Sequence, residues 1–221
     1  MIRWWAGVVW ALVGAVAAAV AVQALWIRDA AGQVAGEGVR LNEILAGPAR
    51  DWDGDGIYDS KSDEWIELRN AGPTVATLDE YRLADADRTV RFALSGTLDP
   101  GDVTLVTGSA AVAWQRAQGL TAAGLSLNNS GDTVFLLRVA GTDTAVVDSH
   151  AYGSIEGASD RSVGRSAAGQ AEWILFDALN RYTGSGTPPG TGCPPTPRGA
   201  NECATTDVQS TTWGAIKRLY R

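Results

Sequence analysis

The chain has 221 residues, of which 45% are hydrophobic, and its 25 acidic and 18 basic residues give a formal net charge of −7. This length is enough for one domain of ordinary size with tails. The acidic balance argues against nucleic-acid binding, which needs a basic surface to displace counterions from phosphates.

The first 28 residues contain a long apolar segment. Between Trp4 and Ile27 no side chain is charged, and at about 1.5 Å per helical residue the segment could cross a hydrocarbon core roughly 30 Å thick. A cleaved signal peptide is the competing interpretation, because Ala19–Ala21 and Val22–Ala24 end in the small residues that signal peptidase accepts. We therefore predict an N-terminal hydrophobic helix over 1–28, kept as an anchor or removed, then a linker over 29–37. Both alternatives place the rest of the chain outside the cytoplasm.

Residues 38–182 contain short alternating segments separated by turns rich in Gly, Pro, Asn and Asp. Period-two patterns at this spacing indicate a β-sandwich or barrel. The predicted strands are 39–47, 64–70, 81–84, 90–94, 103–107, 133–139, 144–152 and 173–176. Only 109–119 has a helical pattern. In the strand 64–70, the alternation predicts that Ile66 and Leu68 lie on the core face.

The stretch DWDGDGIYDSKSD, residues 51–63, resembles the calcium loop of an EF-hand. Its alternating aspartates and the Ile57 carbonyl occupy the positions that supply ligands in that motif, and Gly56 lies at the sharp turn. Ser62 stands where a bidentate glutamate belongs, and the next residue can replace that ligand. We predict one structural Ca²⁺, with the ligand set Asp51, Asp53, Asp55, Ile57, Asp59 and Asp63.

The flanks of this loop exclude a helix–loop–helix sensor, because Gly47 and Pro48 precede it and a strand follows it. The alternative is a solvated acidic turn without an ion. Five aspartates within 13 residues repel one another, and a cation would relieve that repulsion.

Enzyme activity is not expected from the remaining residues. A two-metal nuclease generally needs a base or a positioned lysine or histidine beside its carboxylates, and the single histidine, His150, lies far along the chain. The run Asp148-Ser149-His150 has the composition of a catalytic triad. In a strand, however, Ser149 points away from both neighbours.

The C-terminal part consists of two segments of different composition. Residues 183–205 are rich in Gly, Pro, Ser and Thr, cannot build a core, and are called here the closing segment. Its two cysteines, Cys193 and Cys203, are predicted to form a disulfide in an oxidising compartment, worth up to about 3 kcal/mol. The sequence of residues 206–221 predicts a short amphipathic helix. A helix of this length is not stable alone, so it is expected to pack on one of three surfaces: the sandwich, a partner protein or an anionic membrane.

The chain contains, in this order, the segments VRLNEIL, SDEWIELRN, TLDEYRLAD, LDPGDVTLV, LSLNNSGDTVFLL and VDSHAYG, followed by DRSVGR, EWI and TPRGAN as closing elements. Together these segments resemble the lamin tail domain family. The resemblance covers about residues 38–202, and implies an all-β, immunoglobulin-like β-sandwich of the kind found in nuclear lamins and in many bacterial exported proteins. In those bacterial proteins the domain is usually an accessory module.

Three motif features have ordinary structural interpretations. Residues 128–132 are expected to form a turn, since Asn and Gly tolerate positive φ. Glu43 and Glu67 are expected to pair with backbone or basic groups near strand ends. None of these residues is expected to be catalytic.

The expected function is an exported or membrane-tethered, non-catalytic module with a binding or structural role and a calcium-stabilised loop. The alternative is an accessory domain or remnant of a metal-dependent phosphoesterase or nuclease system. The expected partner is a protein or a surface polymer, together with the membrane if the N-terminal segment is uncleaved. The expected location is extracytoplasmic, either membrane-anchored or secreted.

Overall fold

The computed structural model describes residues 38–166 and 172–202. All of them belong to one compact unit that begins at Gly38. The apolar segment 1–28, the linker 29–37, Cys203 and the tail 206–221 lie outside the described residues, so the predictions made for them stay predictions. Within the described part of the chain, no helix is long and apolar enough to cross a membrane.

Strands dominate the described residues. They are β1 (Val39–Leu45), β2 (Trp65–Asn70), β3 (Ala76–Thr77), β4 (Tyr81–Ala84), β5 (Val90–Ala93), β6 (Thr97–Leu98), β7 (Val103–Thr107), β8 (Gly131–Ala140), β9 (Asp143–Gly153), β10 (Ser162–Arg165) and β11 (Trp173–Phe176), with the helix α1 (Gly108–Ala117) between β7 and β8.

Two antiparallel sheets form the layers of a sandwich. The five-stranded sheet has the order β11-β10-β1-β2-β7, and the four-stranded sheet has the order β5-β4-β8-β9. The short strands β3 and β6 pair separately as a ribbon. The predicted all-β sandwich is confirmed.

The core lies between the two sheets. Leu41, Ile66 and Leu68 enter it from the five-stranded sheet, and Leu83 and Leu136 enter from the four-stranded sheet; each is at most 2% exposed. Burying a side chain of this size contributes about 1.5–3 kcal/mol. The predicted core role of Ile66 and Leu68 is confirmed.

The helix α1 begins close to its predicted start and fixes the loop that follows it. Thr107 is its N-cap, with the hydroxyl accepting from the Ala110 N–H (3.2 Å), as is typical of threonine there. Gln115 is 2% exposed. Its amide donates to the Gly124 carbonyl (2.8 Å) and accepts from the Ala123 N–H (2.7 Å), so the segment after the helix is held against it.

Strand β2 is buried on both faces, which its alternation did not predict. Trp65 and Glu67 are both 0% exposed. Trp65 packs edge-on against Trp52 of the acidic loop. The closing segment covers Glu67 and its neighbour Glu43 on β1: the Arg198 N–H donates to Glu67 Oε2 (2.5 Å), and the Thr196 N–H donates to Glu43 Oε1 (3.0 Å). A Gly- and Pro-rich segment builds no core, but it can cover a sheet through hydrogen bonds.

Strand β10 was not among the predicted strands, because its sequence SVGR contains Gly164 and has no alternation. It pairs with β1 with Gly164 opposite Glu43. A Cβ atom at Gly164 would lie 2.7 Å from Asn201 Nδ2 and 2.9 Å from Glu43 Cγ. A residue without a side chain is therefore needed where the closing segment approaches the sheet.

Candidate functional site

One buried carboxylate organises the acidic loop between β1 and β2. Asp63 is 0% exposed. Its Oδ1 accepts from the N–H groups of Trp52 (2.6 Å) and Asp53 (3.0 Å), and its Oδ2 accepts from the Asp59 N–H (2.8 Å). Hydrogen bonds to an ionised acceptor are stronger than neutral ones, so Asp63 joins both halves of the loop to the start of β2.

A second carboxylate holds the loop from outside. Asp160, which lies just before β10, accepts from the Ala49 N–H (2.9 Å) and from the indole N–H of Trp52 (3.0 Å). It also pairs with Arg50 at 2.9 Å. The loop is thus tied to the sandwich at its first residues and at its last one, although residues 54–60 between them are exposed.

Three of the predicted calcium ligands come together. One carboxylate oxygen from each of Asp51, Asp53 and Asp63 lies within 4.8 Å of the other two. At Ca–O distances of about 2.3–2.6 Å, a single calcium ion can contact three oxygens with this spacing. This trio is the candidate metal site.

The other two predicted carboxylate ligands, Asp55 and Asp59, are not part of this trio. Asp55 Oδ1 accepts from the Ile57 N–H (2.7 Å), and Asp59 Oδ1 accepts from the N–H groups of Lys61 (2.9 Å) and Ser62 (2.8 Å). These contacts are local turns of the exposed loop. The set of converging carboxylates is therefore smaller than the sequence pattern predicts.

The loop amides keep two of its carboxylates ionised. Asp51 accepts from the N–H groups of Gly54 (2.7 Å) and Gly56 (2.8 Å), and these contacts, Gly54 first, lower the pKa of Asp51. Gly54 and Gly56 have φ angles of 84° and 87°, which glycine adopts without strain. The pKa of Asp59 is lowered in the same way by the amides of Ser62 and Lys61. Ionised carboxylates are the form that binds a hard cation.

The two glutamates of the motif strands hold the closing segment in place. Glu67 Oε1 accepts from the Asn42 side-chain amide (2.6 Å), which also donates to Asn201 Oδ1 (3.0 Å). The Asn201 amide donates in turn to the Asn42 carbonyl (3.0 Å) and to the Arg165 carbonyl (2.8 Å). The expectation that Glu67 pairs with backbone groups is confirmed, and its role is to attach the closing segment.

Glu43 is fully buried in the same network. Ser162 donates to its Oε1 (2.5 Å), and Thr196 Oγ1 lies 2.5 Å from its Oε2. Burial raises the pKa of Glu43 to about 7, although the hydroxyl contacts oppose the shift. Thr196 Oγ1 also lies 3.3 Å from Asn201 Oδ1. The Thr196 hydroxyl has only one proton to donate. When Glu43 is protonated, it donates to Thr196 Oγ1 and Thr196 donates to Asn201 Oδ1, so both contacts of the Thr196 hydroxyl are satisfied.

The residues of the Asp148-Ser149-His150 run have unrelated partners. Asp148 pairs with Arg165 (2.9 Å) and accepts from the Leu41 N–H (3.0 Å), which links β9 to β1. His150 stacks on the Trp173 ring, with the centroids 3.7 Å apart. Ser149 is exposed. The arrangement is not a triad, because no proton relay joins these three side chains.

A cleft with a volume of about 800 Å³ lies next to the acidic loop and was not predicted from the sequence. Residues distant in sequence line it, among them Lys61, Glu64, Asp87, Ser126, Asp132 and Tyr152. Burial raises the pKa of Glu64 to about 8. The segment 128–132 was expected to be only a turn. It does turn, with the Gly131 N–H donating to the Asn128 carbonyl (3.0 Å), and it also forms one wall of this cleft.

Comparison with known proteins gives one family. The family model described as Lamin Tail Domain matches residues 33–154. This range includes β1 to β9, the acidic loop and the residues that line the cleft. No curated protein matches the chain.

Proposed function

The chain belongs to the lamin tail domain family, and we propose that it is an exported or membrane-tethered, non-catalytic module with a binding or structural role outside the cytoplasm. The family fold is an immunoglobulin-like β-sandwich, a scaffold for binding and structural roles. We further propose that calcium stabilises its acidic loop. Asp51, Asp53 and Asp63 would hold the ion.

The contacts made by the polar motif residues support the non-catalytic part of this proposal. Glu43 and Glu67 attach the closing segment, and Asp148 pairs with Arg165. Each of these carboxylates is directed at a partner within the protein. A catalytic carboxylate instead has to reach a substrate atom directly or through one water.

The calcium part rests on the trio of carboxylates in a loop whose backbone is already fixed. Because Asp63 and Asp160 position the loop through the protein itself, an ion would find its ligands assembled. Binding then has a smaller ordering cost. The weak affinity that is typical of extracellular modules suffices at extracellular calcium concentrations.

Calcium is expected to raise the melting temperature of the full chain. At millimolar CaCl₂ against chelator, the gain should be about 1 kcal/mol, or about 2–4 °C. The double variant Asp51→Asn/Asp53→Asn should keep its fold and lose this gain. Differential scanning calorimetry of both proteins, with and without calcium, measures the effect.

Asp55→Asn is the matched control for this experiment. It removes one charge from the same loop but leaves the trio intact, so its calcium-dependent gain should match that of the wild type. A wild-type melting temperature that is the same in calcium and in chelator would disprove the metal site. If Asp55→Asn loses the calcium-dependent gain in melting temperature to the same extent as the double variant, the gain comes from the total charge of the loop and not from the trio.

The two cysteines provide a separate test of export. Cys193 is buried at 5% exposure, and it lies in the same closing segment as Cys203. We expect both to be joined in protein isolated from its native compartment, because disulfides persist where the environment is oxidising. Non-reducing peptide mass spectrometry should then find one linked peptide, lighter by two hydrogens than the reduced pair. Two alkylatable thiols would instead place this segment in a reducing compartment.

A further inference from the structure

Two arginines lie side by side on the outer face of the five-stranded sheet. Arg40 of β1 and Arg69 of β2 are directly opposite each other. The next pair along, Leu41 and Leu68, points into the core, and successive side chains of a strand alternate between its faces, so both arginines point outwards. Directly opposed residues have Cβ atoms about 4.5–5.5 Å apart, and like charges there are destabilising. The sheet therefore holds two positive charges together against their repulsion.

Neither arginine has a partner among the residues that the structure describes. Both are half-buried, and their side chains make no hydrogen bond or ion pair there. Arg40 Nε is enclosed, so no ligand can reach it. The two terminal nitrogens of Arg40 are not enclosed, and they are the donors that a ligand can contact. Burial first, then the charges of Arg165 and Arg69, lower the pKa of Arg40, as expected for a cation that lacks a counter-ion.

The carboxylate beside Arg40 is already paired with another arginine. Asp148 attracts Arg40, but it pairs with Arg165 at 2.9 Å and accepts from the Leu41 N–H (3.0 Å). Arg165 also donates to the Leu41 carbonyl (2.9 Å), which fixes the pair at the edge of β1. Because Asp148 and Arg165 together are neutral, they do not compensate the charge of Arg40.

The carboxylate beside Arg69 is also engaged. Glu67, two residues earlier on the same face, accepts from the Asn42 amide (2.6 Å) and from the Arg198 N–H. Each of its oxygens thus has a partner other than Arg69, and Arg198 adds its own positive charge beside it. Asp102, just before β7, is exposed, so solvent and salt screen its charge. An excess of positive charge remains on this face even when Glu67 is ionised.

Two adjacent guanidinium groups favour a particular class of anion. A carboxylate has one negative charge and two oxygens in a plane, and a single guanidinium fork satisfies both oxygens. The second arginine would then stay unpaired. A phosphate or sulfate group is tetrahedral, so its oxygens point in several directions and can accept from both arginines. A long polyanion fits less well, because the chain has a net charge of −7 and repels it away from this pair.

We propose that Arg40 and Arg69 bind a tetrahedral oxyanion, namely a phosphate or sulfate group carried by the partner of this module. The terminal nitrogens of Arg40 and the guanidinium group of Arg69 donate to its oxygens, and its negative charge relieves the repulsion between the two arginines. This inference deepens the proposed binding role and rests on it, but it does not depend on calcium.

NMR of the arginine Nε–H groups in the full chain tests the proposal. Inorganic phosphate, sulfate, glycerophosphoglycerol and acetate are titrated separately, in chelator and at constant ionic strength. The first three distinguish a phosphate, a sulfate and a phosphate diester as the source of the group, and acetate is the carboxylate probe. The Arg40 and Arg69 signals should shift and saturate with at least one tetrahedral anion.

Arg69→Gln is the test variant, and Arg116→Gln is its matched control. Arg69→Gln should weaken anion binding about 10-fold or more, because hydrogen bonds to a charged group are lost. Arg116 is exposed in the last turn of α1. Its replacement removes the same charge outside the pair and should leave binding as in the wild type.

The melting temperature in chloride buffer is the second readout. Because Arg69 opposes a like charge, Arg69→Gln should leave the melting temperature unchanged or raise it. The proposal is overturned if no tetrahedral anion shifts the two signals, if acetate binds as tightly as phosphate and sulfate, if binding survives in Arg69→Gln, or if this variant melts several degrees lower. None of these results bears on the calcium-dependent gain, so failure of the arginine pair is distinguishable from failure of the loop.

Discussion

Asp63→Ala should reduce the free energy of unfolding by about 3–6 kcal/mol, measured in chelator. Three backbone N–H groups, those of Trp52, Asp53 and Asp59, donate to this carboxylate. A donor that loses its partner costs up to about 1–3 kcal/mol, and the cost is at the low end where water can replace the partner, as at the exposed Asp59. Urea denaturation of the full chain without calcium gives the free energy, because chelator removes any contribution from the ion.

Two further variants separate the anchoring role of Asp63 from a metal role. Asp63→Asn keeps one acceptor oxygen and should recover part of the loss. Asp55→Ala removes an exposed carboxylate with one local contact, and should cost less than about 1 kcal/mol. If Asp63→Ala costs no more than Asp55→Ala in chelator, Asp63 does not hold the loop together.

The sequence allows the prediction of the sandwich, because alternation is a local pattern. Ile66 and Leu68 stand two residues apart in β2 and both enter the core. Strand β10 has no such pattern, because Gly164 interrupts it. A glycine is needed at this position because Asn201 lies too close for a Cβ atom. That approach depends on the closing segment, whose composition gives no sign of what it covers.

The acidic loop could be predicted in part, for the same reason. Asp51, Asp53 and Asp63 are close in sequence, and their spacing is informative. Asp160, which fixes the start of the loop, is 108 residues from Trp52, and no local pattern connects them. Whether Asp55 points at an ion or at the Ile57 amide depends on the conformation of the loop. The residue types in the sequence do not determine that conformation.

The cleft could not be predicted, because no single segment carries it. Its walls come from the residues just before β2, the turn before β5, the segment after α1, the turn that leads into β8 and the end of β9. Tyr152 looks like any core tyrosine in a strand. Its place beside the cleft becomes visible only when the surrounding side chains are in place, as does the positive φ of Ser126.

The protein should lose stability as the pH rises from about 5 to about 8, and Glu43 should account for much of the loss. Its pKa is raised to about 7 in the folded chain, against about 4.3 when unfolded. Between these values the folded state binds more protons than the unfolded state, so the free energy of unfolding falls with rising pH. The loss from this buried group is on the order of a few kcal/mol. Glu64, whose pKa is also raised, acts in the same direction.

Glu43→Gln isolates this contribution, because glutamine has the shape of the protonated glutamate. Its carbonyl can accept from the Thr196 N–H and from Ser162, while its amide donates to Thr196 Oγ1, which remains free to donate to Asn201. Urea denaturation at about pH 5 and about pH 8 should therefore show a smaller loss in the variant than in the wild type. The control Glu80→Gln removes an exposed carboxylate that pairs with Arg138 and should leave the pH dependence unchanged. A wild type whose stability rises over this interval, or a variant with the full wild-type loss, would mean that Glu43 is ionised in the folded chain and that its three polar contacts outweigh its burial.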